Sequence, residues 1–297
     1  MLLYIVGHKG WIGQMFVSYC VDNGIPVTYS DYRGESDELL RDIVEKEATH
    51  VFCSMGRTHG TTSDGKTYTT IDYLQNAETF QQNLNDNLYV PLRLSDFCEK
   101  HNIHYSYLGT GCIYNYDTNN HPDPFTEEDT PNFFGSNYSI VKGYTNNLMC
   151  KRPRSLHFRI RMPITSEPNP RNFITKITSY AKICSIPNSM SVLDELIPIA
   201  VCMMKDGYIG TYNFTNPGVI DHNEILQMYR DIVDKDFKWS NFSIDEQDTV
   251  LLSKRSNNYL DTTKLTHAVI QLRQKYPHLV LNTINDAVRN ALLSYRK

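Results

Sequence analysis

A tyrosine and a lysine lie four residues apart in segment 136–151, where the residue pattern predicts a helix. This spacing puts Tyr138 and Lys142 on one face of the helix. A free phenol titrates near pH ~10, and a neighbouring ammonium stabilises the phenolate, which brings the pKa toward neutral pH. The pair is therefore a candidate for proton transfer at a carbonyl substrate.

The position of the pair matters, because a tyrosine and a lysine at this spacing are common in helices of every kind. The pair lies downstream of a glycine-rich turn near the N-terminus, and Thr110 lies between them at the end of a predicted strand. We expect Thr110 and Tyr138 to hold the oxygen of a substrate carbonyl together.

Three glycines, Gly7, Gly10 and Gly13, follow the first apolar run and open a helical pattern that includes Trp11 and Ile12. Glycines at this spacing permit a tight turn and let backbone N–H groups approach a pyrophosphate at a helix N-terminus. Three glycines alone often mark only a turn. The order of strand, turn and helix is what predicts a dinucleotide-binding site here.

The choice of dinucleotide depends on the turn after the second predicted strand. Asp31 could hold the ribose 2′-hydroxyl of NAD, whereas Arg33 could pair with the 2′-phosphate of NADP. Either residue could instead belong to a solvated turn. We predict NADPH as the cofactor, with NADH as the alternative.

The elements that must position these residues alternate between apolar runs and helical patterns through the first half of the chain. Strands are predicted at 2–6, 27–29, 50–53, 105–108 and 155–160, and helices at 11–21, 37–46, 87–100 and 136–151. This alternation predicts an α/β fold, a Rossmann-type doubly wound parallel sheet with helices on both faces.

The pattern changes beyond Pro163, where proline and asparagine become frequent and the alternation fades. We predict a smaller C-terminal substrate-binding lobe there, with a final amphipathic helix near 285–293. The predicted division is an NADP-binding Rossmann domain over 1–161 and a substrate-binding lobe over 162–297, interleaved with the first.

The composition narrows the classes of function. A net charge of −4 gives no reason to expect nucleic acid or an anionic membrane as a partner, and no apolar stretch approaches the roughly 18 residues of a membrane span. The seven cysteines include no C-x-x-C pair, which indicates reduced thiols and neither a disulfide framework nor a zinc site. We therefore predict a cytoplasmic protein without a metal.

Many segments, in the same order along the chain, resemble those of a known family. They are Gly-Trp-Ile-Gly (10–13), Gly-Thr-Gly-Cys-Ile-Tyr (109–114), Glu-Glu-Asp-Thr-Pro-Asn-Phe (127–133), Arg-Met-Pro-Ile (161–164), Asn-Pro-Arg-Asn-Phe-Ile-Thr-Lys-Ile (169–177), Ile-Pro-Asn-Ser-Met (186–190), Tyr-Asn-Phe-Thr-Asn-Pro-Gly (212–218), His-Asn-Glu-Ile-Leu (222–226) and Arg-Ser-Asn-Asn (255–258). By these segments the chain resembles the extended short-chain dehydrogenases/reductases, and more narrowly the bifunctional epimerase-reductases of nucleotide-rhamnose synthesis. The resemblance extends more distantly to dTDP-4-dehydrorhamnose reductase.

The resemblance implies a 3,5-epimerase/4-reductase that converts UDP-4-keto-6-deoxyglucose to UDP-rhamnose with NADPH. Tyr138 would protonate the oxygen at carbon 4, with Lys142 and Thr110 beside it. Both epimerised carbons flank the same ketone, so one enolate-stabilising site serves both proton abstractions. Cys112, with an ordinary thiol pKa near ~8.5, suits this exchange if a cation lies nearby, and the resemblance implies Lys176 as its partner.

The resemblance also implies the remaining site residues and the assembly. Asn87 would contact the cofactor, and Asn172 and Arg255 would contact the nucleotide-linked 4-keto-6-deoxy sugar. The helix that carries Tyr138 often packs in a dimer interface in this superfamily, so a homodimer is expected by analogy.

Departures from the family and competing functions set the alternatives. The loop 54–60 is unusual, which affects the predicted sugar pocket, and Asp31 stands where small residues are usual, which affects the NADPH preference.

A 4,6-dehydratase carries an Asp-Glu pair after its catalytic threonine, whereas this chain has Gly111 and Cys112. A 4-ketoreductase without epimerase activity remains an alternative. So does a catalytically silent NADP-binding regulatory subunit, which the intact tyrosine–lysine pair disfavours.

Overall fold

The computed structural model describes residues 1–295. Its strands are β1 (Leu3–Val6), β2 (Val27–Thr28), β3 (His50–Cys53), β4 (Gly60–Thr61), β5 (Thr67–Tyr68), β6 (His104–Thr110), β7 (Ser155–Ile160), β8 (Lys182–Ile183), β9 (Gly210–Asn213) and β10 (Ser240–Asn241). Its helices are α1 (Trp11–Asp22), α2 (Asp37–Glu45), α3 (Phe80–Leu84), α4 (Val90–Lys100), α5 (Asn137–Met149), α6 (Phe173–Thr178), α7 (Leu193–Lys205), α8 (His222–Ile232), α9 (Ile244–Val250), α10 (Thr263–Arg273) and α11 (Ile284–Tyr295).

Six of these strands form one parallel sheet in the order β2-β1-β3-β6-β7-β9. All four residues of β1 are buried, as expected for a parallel strand covered on both faces. Strand β1 has β2 on one side and β3 on the other, so the winding reverses there and a crevice opens at the carboxyl ends of β1 and β3. The predicted doubly wound sheet is confirmed.

Helices cover both faces of the sheet. On one face α1, α7 and α10 enclose an apolar core that includes Phe16, Phe52 and Phe158. On the other face α2, α4 and α5 contribute Leu39, Leu94 and other buried side chains to a second core. Helix α5, which carries the tyrosine–lysine pair, is thereby fixed against the sheet.

A further apolar core fills the C-terminal lobe, where α6, α8 and α11 contribute Ile174, Ile225 and Val288. The chain first leaves the main sheet after β7, but it returns, because β9 pairs with β7, and α7 and α10 pack against the sheet. The two parts are therefore interleaved in sequence. A boundary after residue 161 marks only the point where the chain leaves the sheet after β7 and does not separate two continuous domains.

Several predicted elements differ in extent from those observed. The second strand is only two residues long, and the helix predicted over 87–100 begins as α4 at Val90. A π turn at Asn85–Tyr89 precedes α4. Such turns break the regular backbone pattern, and Thr145 Oγ1 donates to the Asn87 carbonyl there at 2.6 Å.

The final predicted helix is present as α11. All seven cysteines lie within the described residues and are free thiols. Across residues 1–295, none of the helices combines the length and the apolar character needed to cross a bilayer.

Candidate active site

The glycine turn between β1 and α1 is closely packed. Gly7 has a φ of +90°, where glycine is favoured, and its carbonyl accepts a hydrogen bond from the Gly10 N–H at 3.0 Å. A Cβ atom on Gly13 would lie 2.2 Å from the Gly7 carbonyl oxygen, and one on Gly7 would lie 2.9 Å from Ser54 Oγ. Glycine is therefore needed at both positions for the turn to close against the end of β3.

Helix α1 begins at this turn without a side-chain cap. Gly10 is the N-cap residue, and the first turn of α1 contains no acidic residue among the described side chains. The N–H groups of Trp11, Ile12 and Gly13 and the positive end of the helix dipole are therefore available to an anion. This cradle fits the pyrophosphate of a nicotinamide dinucleotide.

Asp31 and Arg33 lie after β2, and both already have partners. Asp31 lies 2.9 Å from Lys9 Nζ and 3.4 Å from His8 Nε2, and the hydrogen bond from Lys9 lowers the pKa of Asp31. Arg33 donates from Nε to Glu35 at 2.6 Å and is 83% exposed. Arg33 also lines an open cleft of about 450 Å³, so its terminal nitrogens are accessible to a ligand there.

Four predicted site residues meet at the carboxyl end of β6. Thr110 ends the strand, and its Oγ1 accepts a hydrogen bond from the Cys112 N–H at 3.0 Å. Tyr138 and Lys142 are buried on α5, and Tyr138 contacts Thr110. Ser139 Oγ donates to the Cys112 carbonyl at 2.8 Å, which ties α5 to the loop after β6.

Burial determines the protonation of the pair. It raises the pKa of Tyr138, with Cys112 acting in the same direction and the hydrogen bond with Thr110 opposing it. Burial lowers the pKa of Lys142 to about 8. The direction for Tyr138 is opposite to that expected from a neighbouring ammonium, because desolvation of the phenolate dominates and the Lys142 ammonium meets the Tyr107 hydroxyl instead. Tyr138 therefore keeps its proton at neutral pH and is suited to donate it.

Cys112 is partly buried and packs beside Tyr138. A thiolate at Cys112 would raise the pKa of both Lys142 and Arg161, so both cations lie close enough to stabilise it. Lys142 and Arg161 therefore supply the nearby cation that proton exchange at Cys112 requires.

Lys176 lies on α6 in the lobe, and its Nζ donates to the Thr69 carbonyl at 3.4 Å. Burial, and then the charge of Arg171, lowers the pKa of Lys176. Residues of the segment 68–71 pack against the same apolar cluster as Cys112. This segment links the surroundings of Lys176 and Cys112, while their direct pairing stays a prediction.

Basic side chains gather beside Lys176. Burial, followed by the charges of Arg171, Arg57 and Lys176, lowers the pKa of His59 to about 4, so this imidazole is neutral at neutral pH. Arg57 pairs with Asp86 at 2.5 Å. Within the described residues, Arg171 and Lys176 form no ion pair with a carboxylate. The cluster therefore has an excess of positive charge.

Arg255 is held in a bidentate ion pair by Asp72, with N···O distances of 2.9 and 3.1 Å. Ser253 Oγ also donates to Asp72 at 2.6 Å. Burial alone would raise the pKa of Asp72, but the hydrogen bonds from Arg255 and Ser253 outweigh it and lower the pKa. Arg255 is therefore a fixed cation, and its contact with substrate stays a prediction.

The two asparagines assigned to ligands brace the backbone. Asn87 is buried and pairs with the backbone of Arg57, accepting from its N–H at 3.1 Å and donating to its carbonyl at 3.0 Å. Asn172 caps α6, accepting from the Ile174 N–H at 3.1 Å and donating to the Thr165 carbonyl at 2.8 Å. Both carboxamides are occupied in this way, so their predicted contacts with cofactor and sugar gain no support from the geometry.

The model of the NAD dependent epimerase/dehydratase family matches residues 3–160, which is more than half of the chain. The chain belongs to this family. The predicted Rossmann-type fold for a nicotinamide dinucleotide is thereby confirmed. A relative from Arabidopsis thaliana, a bifunctional dTDP-4-dehydrorhamnose 3,5-epimerase/dTDP-4-dehydrorhamnose reductase, is 42% identical over 88% of this chain and 85% of its own.

Other relatives are similar over nearly the whole of this chain. The crystal structure of a UDP-rhamnose synthase from Acanthamoeba polyphaga mimivirus has a TM-score of 0.89 and 45% identity, covering 99% of both chains. A trifunctional UDP-glucose 4,6-dehydratase/3,5-epimerase/reductase of Arabidopsis thaliana is 41% identical over 98% of this chain, which spans only 41% of that enzyme. The predicted resemblance to the epimerase-reductases of rhamnose synthesis is confirmed.

Three residues of the candidate site were missed by the sequence reasoning, namely Asp72, Tyr107 and Arg161. Arg161 is fully buried and donates to the Gly111 carbonyl at 3.0 Å, which fixes the loop that carries Cys112. A charged residue directly after an apolar strand was the available signal, since a buried arginine must be hydrogen-bonded. The other two carry no comparable local signal.

Proposed function

We propose that this chain is a bifunctional 3,5-epimerase/4-reductase that converts UDP-4-keto-6-deoxyglucose to UDP-rhamnose with NADPH. The observation that carries the proposal is the grouping of Thr110, Cys112, Tyr138 and Lys142 at the carboxyl end of β6. The activities named for the relatives from Arabidopsis thaliana and the mimivirus support it, since both are similar to this chain over most of their length.

The cofactor site lies in the crevice at the ends of β1 and β3. The turn Gly7–Gly13 and the N-terminus of α1 would hold the pyrophosphate, and Lys142 would hold the nicotinamide ribose. When bound, the nicotinamide supplies the hydride that reduces carbon 4 of the sugar.

The protein's part in reduction is to supply a proton. Tyr138 stays protonated at neutral pH and lies beside the Thr110 hydroxyl, so the two can hold the carbonyl oxygen and Tyr138 can protonate the forming alkoxide. Lys142, one helical turn away on α5, is the cation that would stabilise the phenolate that results, because an ammonium close by favours the charged form.

The protein's part in epimerisation is to remove and return protons beside the ketone. The Cys112 thiolate is stabilised by Lys142 and Arg161 and is the proposed proton acceptor. Lys176 is the proposed second group. The excess positive charge of Arg171 and Lys176 suits the diphosphate of a nucleotide sugar.

The decisive test combines the chain with UDP-4-keto-6-deoxyglucose and NADPH and identifies the product by NMR. UDP-rhamnose is the expected product. An unepimerised 6-deoxy sugar would favour the reductase without epimerase activity, and a folded chain that does not oxidise NADPH would favour the regulatory subunit. Repeating the reaction with the dTDP-linked sugar determines the nucleotide preference.

The proposed NADPH preference depends on Arg33. A guanidinium paired with a phosphate is a strong contact that a 2′-hydroxyl does not offer, so Arg33→Ala is expected to weaken NADPH at least about tenfold more than NADH. Dissociation constants from fluorescence titration measure this difference. Arg41→Ala is the control, because Arg41 is an exposed arginine paired with Glu38 on α2. Equal losses for both cofactors would show that Arg33 does not meet the 2′-phosphate.

A homodimer and a cytoplasmic location are further parts of the proposal. Exposed apolar side chains on and beside α5 support association through that helix, namely Tyr89, Tyr144 and Leu148. Sedimentation velocity measures the oligomeric state directly, and a Tyr144→Glu variant is expected to be monomeric if α5 forms the interface.

A further inference from the structure

Lys142 is a buried cation whose ammonium donates a hydrogen bond to a neutral side chain and, in the part of the chain that the structure describes, pairs with no carboxylate. It is 4% exposed, and within residues 1–295 it forms no ion pair with a carboxylate. An ammonium has three hydrogens to donate, and leaving them without acceptors in a buried site is costly. The acceptor that the structure shows is the hydroxyl of Tyr107.

Tyr107 is held rigidly in the middle of the sheet. It is buried on β6, where it lies opposite Cys53 of β3 and His157 of β7. Its ring stacks on His157 with centroids 5.2 Å apart, and Lys142 Nζ lies 4.8 Å from its ring centre. Burial raises the pKa of Tyr107, so the phenol is neutral and accepts without competing for the proton of Lys142.

We infer that Tyr107 is a positioning residue, whose hydroxyl fixes the Lys142 ammonium at the carboxyl end of the sheet before any ligand binds. The inference rests on the proposed role of Lys142 toward NADPH. Without the hydroxyl, Lys142 loses its acceptor in the protein, and both the position and the charge of the ammonium become less well defined.

Among the described residues, the other titratable groups around Lys142 accept no hydrogen bond from its ammonium and do not replace this acceptor. The titratable groups that face it from the sheet, from α5 and from the loop after β6 are Cys53, Tyr107, His157, Tyr138 and Cys112. Burial raises the pKa of Cys53 to about 11, raises that of Tyr138 and lowers that of His157, so these three are neutral at neutral pH.

The test compares Tyr107→Phe with Tyr105→Phe, which are matched variants. Tyr105 is also buried on β6, but its hydroxyl donates to the Pro91 carbonyl at 2.8 Å. Each variant loses one buried hydroxyl, and only Tyr107→Phe removes the acceptor of Lys142. The affinity for NADPH is measured without sugar by fluorescence titration between pH 6 and 9, and circular dichroism and thermal melting verify folding.

The direction of the expected shift follows from the charge of Lys142. The pKa of Lys142 is about 8, and a hydrogen bond accepted from the ammonium favours the charged form, so its loss lowers that pKa further. We expect Tyr107→Phe to bind NADPH about tenfold more weakly at pH 8, the scale of one hydrogen bond to a charged group. The pH at which binding weakens should fall by about one unit. Tyr105→Phe should follow the wild type.

A second variant covers the case in which Tyr107→Phe does not fold. Tyr107→Asn returns an acceptor on a smaller side chain and is expected to recover part of the affinity at pH 8. Wild-type affinity and pH dependence in folded Tyr107→Phe would overturn the inference, as would a folded Tyr107→Asn that binds no better than Lys142→Met. Failure of the wild type to bind NADPH would instead overturn the proposed function.

Discussion

Tyr138→Phe should reduce the keto-sugar about 10² times more slowly than the wild type, or slower still, while binding NADPH normally. The substitution removes only the hydroxyl that protonates the oxygen at carbon 4. Because burial keeps that hydroxyl protonated and Thr110 contacts it, no other described group in the cluster is equally placed to donate. The loss of NADPH absorbance measures the rate, and fluorescence titration measures cofactor affinity.

Tyr144→Phe is the matched control for this prediction. Tyr144 lies on the same helix, α5, but is 60% exposed, and phenylalanine keeps the apolar ring of the proposed dimer surface, so the loss of its hydroxyl should leave the rate unchanged. NADPH consumption close to the wild-type rate in Tyr138→Phe would remove Tyr138 from the mechanism and leave the proton donor to be found.

Cys112→Ala should stop solvent deuterium from entering carbons 3 and 5 of the keto-sugar. The thiol is the group of this cluster that can give up a proton and take one back beside two cations, whereas alanine cannot accept a proton. Reduction should persist, because Tyr138 and Lys142 remain, and it should yield an unepimerised 6-deoxy sugar. Mass spectrometry measures deuterium incorporation, and NMR identifies the configuration of the product.

The control for the thiol is Cys150→Ala, since Cys150 is an exposed cysteine at the end of α5. This variant should exchange deuterium at the wild-type rate. Tyr138→Phe should show the converse of Cys112→Ala, with exchange retained and NADPH consumption lost, unless the same phenol stabilises the enolate. Full exchange in Cys112→Ala would eliminate the thiol and leave a reductase.

Much of the candidate site was predictable from the sequence, through the spacing of residues along a helix and the glycines that a tight turn requires. The glycines of the first turn were identifiable because steric limits on the backbone act over a few residues, and a Cβ on Gly13 would indeed collide with the Gly7 carbonyl. Tyr138 and Lys142 were identifiable because a helix places residues four apart on one face. The parallel sheet was likewise predictable from the alternation of strands and helices, since each strand or helix has a residue pattern that can be recognised within its own segment.

Asn87 and Asn172 show where motif reasoning loses precision. Both were assigned to ligands from the sequence, yet their carboxamides pair with nearby backbone groups. A motif fixes the type of residue and its place in the chain. It does not fix the direction of the side chain, which depends on the hydrogen-bonding needs of the backbone around it.

The sequence by itself determined the fold class, the dinucleotide turn and the tyrosine–lysine pair, because each depends on interactions within one or two elements. Only the tertiary structure decided which groups surround them. Arg255 meets Asp72 across 183 residues of chain, and Lys142 meets Tyr107 across 35. Such contacts arise where the lobe folds onto the sheet and where α5 packs on β6. The residue pattern within one helix or strand does not predict these contacts. A buried polar group needs a hydrogen-bonding partner, and the packing of elements that are distant in sequence supplies that partner.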